Sequence, residues 1–479
     1  MNNPKIPSTT AWLGFSIDRA TRKPVFAQLY ESLRQRIEDG AIGVGQALPP
    51  SRVLAEELGL SRSTVVNAYD QLVAEGYAEG RRGSGLYVSR IGEIEALPTP
   101  PAAKLSTASS EKVKENPAPF LPGVPDMRLF PYRSWGQVVS RVARTDPQAL
   151  IRVPRTFGDI RLRTAIVRHL SEWRGVEASV DQVLITAGSG DALEICIRTL
   201  ASRGDKVGLE NPGYLPLRKF VRSLGLTPDW LTADGNEVRL PGTADPPKLA
   251  VLTPSHHFPL GGAMSPSRRK EFISWAEETK GWIVEDDYDS EFRYAGRPIP
   301  ALAGFDHAGR TIYIGSFSKI FSGGLRLGYL VAPRDLIGRF NETLQDYGTK
   351  ASVAAQRPLA VFMEDGGFYR HLRRLRRLYG ERRQCLLDGL KDALGADTGI
   401  VDHQAGMQIL LPLPLEADDR AAAQALAVRG VIAHPLSELF SGKADRKGLL
   451  LGFCAYTPDE IRDSLPVLIK FLSGNRFIR

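Results

Sequence analysis

Cysteine is scarce in this chain: Cys196, Cys385 and Cys454 are the only three among 479 residues, and none lies close to another. An odd, scattered set excludes a disulfide framework and a thiolate zinc cluster, and it suits a reducing compartment. No apolar run reaches the roughly 18 residues that a membrane-crossing helix needs. The opening residues, MNNPKIPSTTAWLGF, lack the charged, apolar and small-residue order of an export signal. The expectation is a cytoplasmic protein without a membrane partner or a metal site. No segment repeats at a fixed period, which excludes a solenoid or propeller.

What is present supports a folded, multidomain chain. Hydrophobic residues make up 43% and charged residues 24% of the sequence, well away from disordered or fibrous compositions. A length of 479 residues exceeds one ordinary core. The net charge of +8 permits an acidic partner such as nucleic acid without requiring one. Between Val88 and Phe120 the apolar periodicity stops, and Pro98, Pro100, Pro101, Pro117 and Pro119 interrupt a mixture of Ala, Ser, Thr, Lys and Glu. Residues 91–118 are therefore predicted as a linker, spanning roughly 30 Å if flexible, between domains at 22–90 and 119–479.

In the first domain, Phe26, Leu29, Tyr30, Leu33 and Ile37 recur at helical spacing and Gly40 ends the run. Leu54, Ala55 and Leu58 share one face of a second helix, which Gly59 breaks. Ser61 is placed to cap a third, whose buried stripe is predicted as Val65, Ala68, Tyr69, Leu72 and Val73. The opposite face opens with Arg62, Ser63, Val66 and Asn67, side chains short or cationic enough to approach a groove. GRRGSGLYV, residues 80–88, then predicts a two-stranded wing that touches phosphate or the minor groove. A helix pair alone is also a plain packing motif; the wing tips the reading toward duplex DNA.

From about Lys23 to Val88, through LPPSRVLAEELGLSRSTVVNAYDQLVAEGYAEGRRGSG, the chain resembles the GntR family of bacterial winged-helix regulators. The resemblance implies DNA contacts at Arg52, Arg62, Ser63, Thr64, Arg82 and Gly83. Arg52 and Arg82 have the character of phosphate anchors, and Arg62 that of a bidentate reader of guanine.

Beyond the linker, the β-branched runs VLIT (183–186), LAVLT (249–253), WIVED (282–286) and TIYIGS (311–316) alternate with helical stretches, which predicts an α/β fold with a largely parallel sheet. VLIT runs into Gly188-Ser189-Gly190 and a helix, whose first amides would meet an anion, although ordinary strand-to-helix turns also use glycine. The turn Glu210-Asn211-Pro212-Gly213-Tyr214 presents an aromatic ring that either packs or stacks on a flat heterocycle. WIVEDDYDSEF sets Asp286 at a strand end with Tyr288 two residues on, and TIYIGSFSKIFSGGLRLGYLVAP brings Ser316, Ser318, Lys319 and Arg326 to another.

Together these groups supply what pyridoxal 5'-phosphate needs: a lysine amine for the aldehyde, an aspartate for the ring nitrogen, a tyrosine for the ring oxygen, and Ser, Arg and a helix start for the phosphate. From about Phe120 the chain resembles the fold-type I aminotransferases, and the whole chain resembles the MocR/GabR family, in which a GntR reader is fused to such a domain. The resemblance implies Lys319 as the Schiff-base lysine, Asp286 as partner of the pyridine nitrogen, Tyr288 as partner of the ring oxygen and Tyr214 as the stacking ring. Gly188, Ser189, Gly190, Ser316, Ser318 and Arg326 become the phosphate cup. It further implies a homodimer, a mainly parallel central sheet, and a smaller C-terminal α/β subdomain over roughly 350–479.

Two positions depart from that pattern. In TPSHHFPLGG, Phe258 stands where aminotransferases commonly carry an asparagine; His256 and His257 remain open as substitutes or as structural hydrogen-bonders. In LLLGFCAYTPDEI, Leu450 stands where they carry an arginine for the substrate α-carboxylate, with Arg446 nearby. An aliphatic group cannot replace a bidentate guanidinium. The expectation is a regulator that binds a double-stranded DNA operator and senses an amine, an amino acid or pyridoxal phosphate itself, with γ-aminobutyrate and taurine among the family's candidates. The alternative is a working aminotransferase with an accessory DNA-binding domain.

Overall fold

A computed structural model describes residues 18, 23–81, 85–90, 118–152, 156–234, 237–296, 298–395 and 399–474. The chain divides into two compact units, the break falling at residue 113. Apart from Ala118, the stretch predicted as a linker lies outside the described residues.

The first unit comprises α1 (Val25–Glu38), α2 (Ser51–Leu58), α3 (Arg62–Ala74), β1 (Ala78–Arg81) and β2 (Gly85–Val88). Its core joins Leu29, Tyr30, Leu33 and Ile37 of α1 to Leu54 and Ala55 of α2 and to Val65, Ala68, Tyr69 and Leu72 of α3. Val73, expected in that stripe, is 42% exposed. At 100° per residue it lies about 80° round from Val65, beyond the arc that α1 and α2 cover. Gly59 ends α2 with φ +63°, a left-handed turn that costs glycine little and lets α3 start three residues later. β1 and β2 pair antiparallel. Residues 45–48 extend this wing, with the Leu48 amide donating to Leu86 at 2.8 Å and the Gly45 amide to Val88 at 2.8 Å.

The second unit is built on an eight-stranded sheet of β3 (Val183–Thr186), β4 (Lys206–Asn211), β5 (Thr227–Asp234), β6 (Glu237–Val238), β7 (Leu249–Leu252), β8 (Trp282–Asp287), β9 (Thr311–Ser316) and β10 (Gly328–Val331). Their order is β3-β10-β9-β8-β7-β4-β5-β6. From β9 to β5 neighbours run parallel, whereas β10 is antiparallel to both β3 and β9, and β6 is antiparallel to β5. The sheet is buried on both faces. Leu184, Ile312, Ile314 and Leu330 enter one core, while Val183, Ile185, Tyr313 and Tyr329 enter the other. That explains why these strands read as continuous apolar runs rather than as alternating ones.

A second sheet of β11 (Gln408–Leu413), β12 (His434–Pro435) and β13 (Lys447–Gly452), ordered β11-β13-β12 and antiparallel, is accompanied by helices Gly367–Leu394, Asp419–Val428 and Pro458–Gly474. The residues just after the predicted linker run along it: Ile432 donates to Pro119 and Gly452 to Phe120, each at 2.8 Å. Among the described residues, no helix is long and apolar enough to cross a membrane.

Candidate cofactor site and DNA-contacting helix

Parallel sheets collect ligands beyond the carboxyl ends of their strands. At those ends lies a cavity of about 360 Å³ whose wall includes Ser189, Tyr214, Asp286, Tyr288 and Lys319. Gly188, Gly190, Ser316, Ser318 and Arg326 lie off its wall, Gly188 and Gly190 flanking Ser189 in the chain. Lys319 follows β9, and its Nζ donates to the Gly123 carbonyl at 2.6 Å. Burial lowers the pKa of this amine, with Asp289 and Asp286 opposing. The neutral form that a nucleophilic amine requires is thereby favoured.

Asp286 is the penultimate residue of β8, where strand alternation separates it from its neighbours. Glu285 accepts from the Leu302 and Ala303 amides at 3.0 and 2.9 Å. Asp287 is held by Arg174 Nε at 2.8 Å and by the Tyr313 hydroxyl. Asp286 faces the cavity instead, and its buried Oδ1 has no hydrogen-bond partner among the described residues. Burial, with Asp287 and Asp289 adding, pushes its carboxyl up to about 7. A buried acceptor left open in a ligand-sized cavity is the counterpart of a protonated ring nitrogen.

The anion-binding end forms where β3 turns into helix Ser189–Leu200. Gly188 precedes it with φ +113°, and the first-turn amides have no acceptor within the helix. A Cβ on Gly188 would lie 3.7 Å from Ser318 Oγ, and the Ser318 amide donates to Ser316 Oγ at 3.2 Å. Gly188, Ser316 and Ser318 are therefore brought together, and Ser189 and Gly190 continue from them. Asp191 accepts from the Ala187 amide at 2.8 Å, bracing the turn from below. Burial raises its carboxyl, and Arg326 is among the cations that pull it back. Arg326 is exposed, with no side-chain hydrogen bond or ion pair among the described residues. Open amides, hydroxyls and a nearby guanidinium fit a phosphate, so the residue set as a whole fits pyridoxal phosphate.

Three aromatic rings line the other wall edge to face. Tyr214 and Phe258 have centroids 6.4 Å apart at 84°, and Phe258 and Tyr288 5.8 Å apart at 87°. The Tyr288 hydroxyl lies 3.0 Å from His256 Nδ1, which also lies 3.0 Å from both Asp289 oxygens. Behind them Glu210 accepts from the Thr253 amide at 2.9 Å and hydroxyl at 2.6 Å, while burial pushes its carboxyl up to about 8. None of Gly123, Glu210 or Asp289 was singled out from the sequence. Asp289 had a visible signal, as an extra acid in EDDYDSEF; Gly123 had none.

Apolar groups dominate the rest of the lining, but Arg218, Gln408 and His434 belong to it too, and the Arg218 guanidinium donates to the Phe440 and Glu438 carbonyls at 2.7 and 3.3 Å. Leu450, in the middle of β13, is 1% exposed and lines the cavity with Leu209, Leu217, Met407 and Leu439. Arg446 does not line it; its Nε pairs with Asp445 at 3.3 Å.

In the first unit, Ser61 caps α3, its Oγ accepting from the Thr64 amide at 3.2 Å and sitting 2.8 Å from the hydroxyls of both Ser63 and Thr64. Arg62 and Ser63 open the helix exposed, Thr64 is half-buried, and Arg52 is exposed at the start of α2. Exposed cationic and hydroxyl groups at a helix N-terminus suit phosphate and groove contact. Arg82 and Gly83 lie outside the described residues.

Comparison with known proteins matches both units. Residues 126–446 match the aminotransferase class I and II family, and residues 26–88 the gntR family of bacterial regulatory proteins. A probable rhizopine catabolism regulatory protein, MocR, of Rhizobium meliloti is 35% identical over 94% of each chain. The pyridoxine biosynthesis transcriptional regulator PdxR of Corynebacterium glutamicum is 34% identical over 91% of this chain and 93% of its own. An archaeal alanine:glyoxylate aminotransferase structure is 25% identical and superposes with a TM-score of 0.69, covering 76% of this chain and 92% of the other. The kynurenine aminotransferase of Pyrococcus horikoshii, 23% identical with a TM-score of 0.68 over the same shares, has the same fold.

Proposed function

The chain belongs to the MocR family of regulators, a gntR-type reader joined to an aminotransferase class I and II domain, and from that premise we propose that it is a pyridoxal 5'-phosphate-dependent transcription regulator of the cytoplasm. The observation that carries the reading is the asymmetry of one cavity. Lys319, Asp286, Tyr288 and Ser189 line it, whereas Leu450 stands where the arginine for a carboxylate is expected, and Arg218, also in the lining, is engaged by the Phe440 and Glu438 carbonyls. The groups assigned to the cofactor are at hand, and Leu450 replaces the arginine expected for a substrate carboxylate, which favours sensing over turnover.

Bound there, the cofactor supplies an aldehyde that captures amines and a ring that withdraws electrons. Lys319 provides the covalent anchor, and Asp286 holds a proton at the ring nitrogen. Tyr214 would cover the ring face, Tyr288 would hydrogen-bond the ring oxygen, and Gly188, Ser189, Gly190, Ser316, Ser318 and Arg326 would neutralise the phosphate. The effector is an amine, an amino acid or the cofactor itself, and Leu450 favours ligands without an α-carboxylate.

Residues 22–90 are the reader, 91–118 the linker and 119–479 the cofactor domain, with a C-terminal subdomain over roughly 350–479. Arg52 and Arg82 anchor phosphates, Arg62 reads a base, and Ser63, Thr64 and Gly83 add further DNA contacts. A homodimer presents two readers to two half-sites.

The test is a titration of the purified protein with pyridoxal phosphate, then with γ-aminobutyrate, taurine and simple amines, following absorbance and binding to DNA selected from a random pool. A ligand that changes both is the expected result. Multiple turnover of a simple α-amino acid with a keto acid would instead establish the aminotransferase reading, which the shared placement of Lys319, Asp286 and Tyr288 keeps in play. No absorbing complex at all would reduce the large unit to a scaffold.

A further inference from the structure

We infer that His256, gripped by Asp289, is a positioning residue that sets the direction in which the Tyr288 hydroxyl offers its hydrogen, in a site whose position 258 carries no polar side chain. This rests on the cofactor reading given above and assigns a role that the family resemblance does not supply.

His256 Nδ1 lies 3.0 Å from Oδ1 and 3.0 Å from Oδ2 of Asp289, and 3.0 Å from the Tyr288 hydroxyl. A ring nitrogen carries either one hydrogen or one lone pair, and a carboxylate only accepts. Nδ1 must therefore carry the hydrogen, directed at Asp289 and shared with the Tyr288 oxygen. Were Nδ1 bare, two carboxylate oxygens would face a lone pair in a buried place, a costly arrangement. With Nδ1 as donor, the Tyr288 oxygen accepts, and its own hydrogen is left for the cavity, where a ring oxygen would take it.

The surroundings hold this arrangement in place. His256 is 7% and Asp289 2% exposed. The His256 and Tyr288 rings lie 5.9 Å apart at 27°. Gly406 presses its backbone on the imidazole so closely that a Cβ there would sit 2.2 Å from Cε1. Burial works against a charged ring, but Asp289 outweighs it and the pKa of His256 is raised. Asp287 and Arg293 also act on His256, as it acts on His257 and His403. His257 cannot do the same work. Neither of its nitrogens has a hydrogen-bond partner among the described residues, Glu210 is 4.0 Å away, and burial lowers it to about 3.

The test is a pH titration of the absorbance of the full-length protein loaded with pyridoxal phosphate. His256→Leu should raise the midpoint by about one pH unit, because a ring oxygen that loses a donor holds the neighbouring proton more tightly. His256→Gln, which keeps an N–H in reach, should return the midpoint toward the parent value. In a Tyr288→Phe background, His256→Leu should produce no further shift. His256→Phe, which fills the place of the imidazole without a donor and leaves the charge of Asp289 in place, should shift the midpoint in the same direction and carries the test if His256→Leu does not fold. An unchanged midpoint in a cofactor-loaded variant, or a shift that persists without the Tyr288 hydroxyl, would overturn the inference while leaving the cofactor reading intact. No absorbing complex in the parent protein would overturn both.

Discussion

Leu450 stands opposite His434 across the β12 and β13 pair, and both residues line the cavity that Lys319 enters. On the proposed reading, Leu450 takes the place of the arginine that would bind an α-carboxylate. Leu450→Arg should tighten binding of a simple α-amino acid at least tenfold, since a charge-assisted hydrogen bond is worth about 1.5–3 kcal/mol. Absorbance titration of the cofactor-loaded protein checks this. Without amino acid the same variant should melt earlier, because a guanidinium at a position 1% exposed has no carboxylate to pair with.

The pH dependence of Asp286 has a definite sign. Its carboxyl rises from an ordinary 3.8 to about 7 in the folded protein, so folding takes up a proton. The contribution of this group to stability is full below about pH 4 and is lost as the pH rises through about 7. In the cofactor-free protein, Asp286→Asn removes the dependence, and the variant should gain on the parent by a few kcal/mol between those limits. Urea unfolding at both ends of the window measures the difference. Glu210, which burial raises and the charge of Asp286 raises further, cancels only in part, because its carboxyl falls back somewhat once Asp286 is replaced.

Arg62 and Arg52 should separate under salt. Arg62→Ala is expected to cost about 1–3 kcal/mol on the preferred DNA site and little on random DNA. Arg52→Ala should weaken both alike and reduce the slope of log affinity against log salt by about one. Anisotropy titrations across a salt series distinguish base reading from phosphate anchoring, and equal losses for Arg62→Ala on both DNAs would remove it as a base reader.

Glycines near the anion-binding turn should differ sharply in tolerance. A Cβ on Gly328 would lie 2.7 Å from Gly188 Cα, where β10 backs the turn, whereas one on Gly323 would meet nothing within 4 Å. Gly328→Ala is expected to destabilise the protein by about 1–3 kcal/mol and to weaken cofactor binding. Gly323→Ala should leave both unchanged. Thermal unfolding and a pyridoxal phosphate titration read the two effects.

Local chemistry was legible in the sequence, and long-range pairing was not. VLIT and TIYIGS become strands with the bounds read from them, because β-branched runs buried on both faces leave little ambiguity. Lys319, Asp286, Tyr288, Tyr214 and Ser189 converge on one cavity because each sits at a strand end or at the turn beyond it. β10 was hidden inside the stretch read as the lysine motif, and its antiparallel insertion between β3 and β9 has no local signal. Gly123 meets Lys319 across 196 residues, and Arg174 meets Asp287 through the fold alone. The two adjacent histidines illustrate the limit. Only the placement of Asp289 and Tyr288 separates His256, whose Nδ1 has partners, from His257, whose ring nitrogens have none among the described residues.

The central claim is that cofactor chemistry at Lys319 is read out as DNA binding. The most direct measurement compares the affinity of the full-length protein and of Lys319→Ala for a DNA site selected from a random pool, with and without pyridoxal phosphate. The account predicts a severalfold change in the parent protein, no change in Lys319→Ala, and similar cofactor-free affinities for the two. An identical response in both proteins, or no response in the parent to the cofactor with or without added amines, would contradict it.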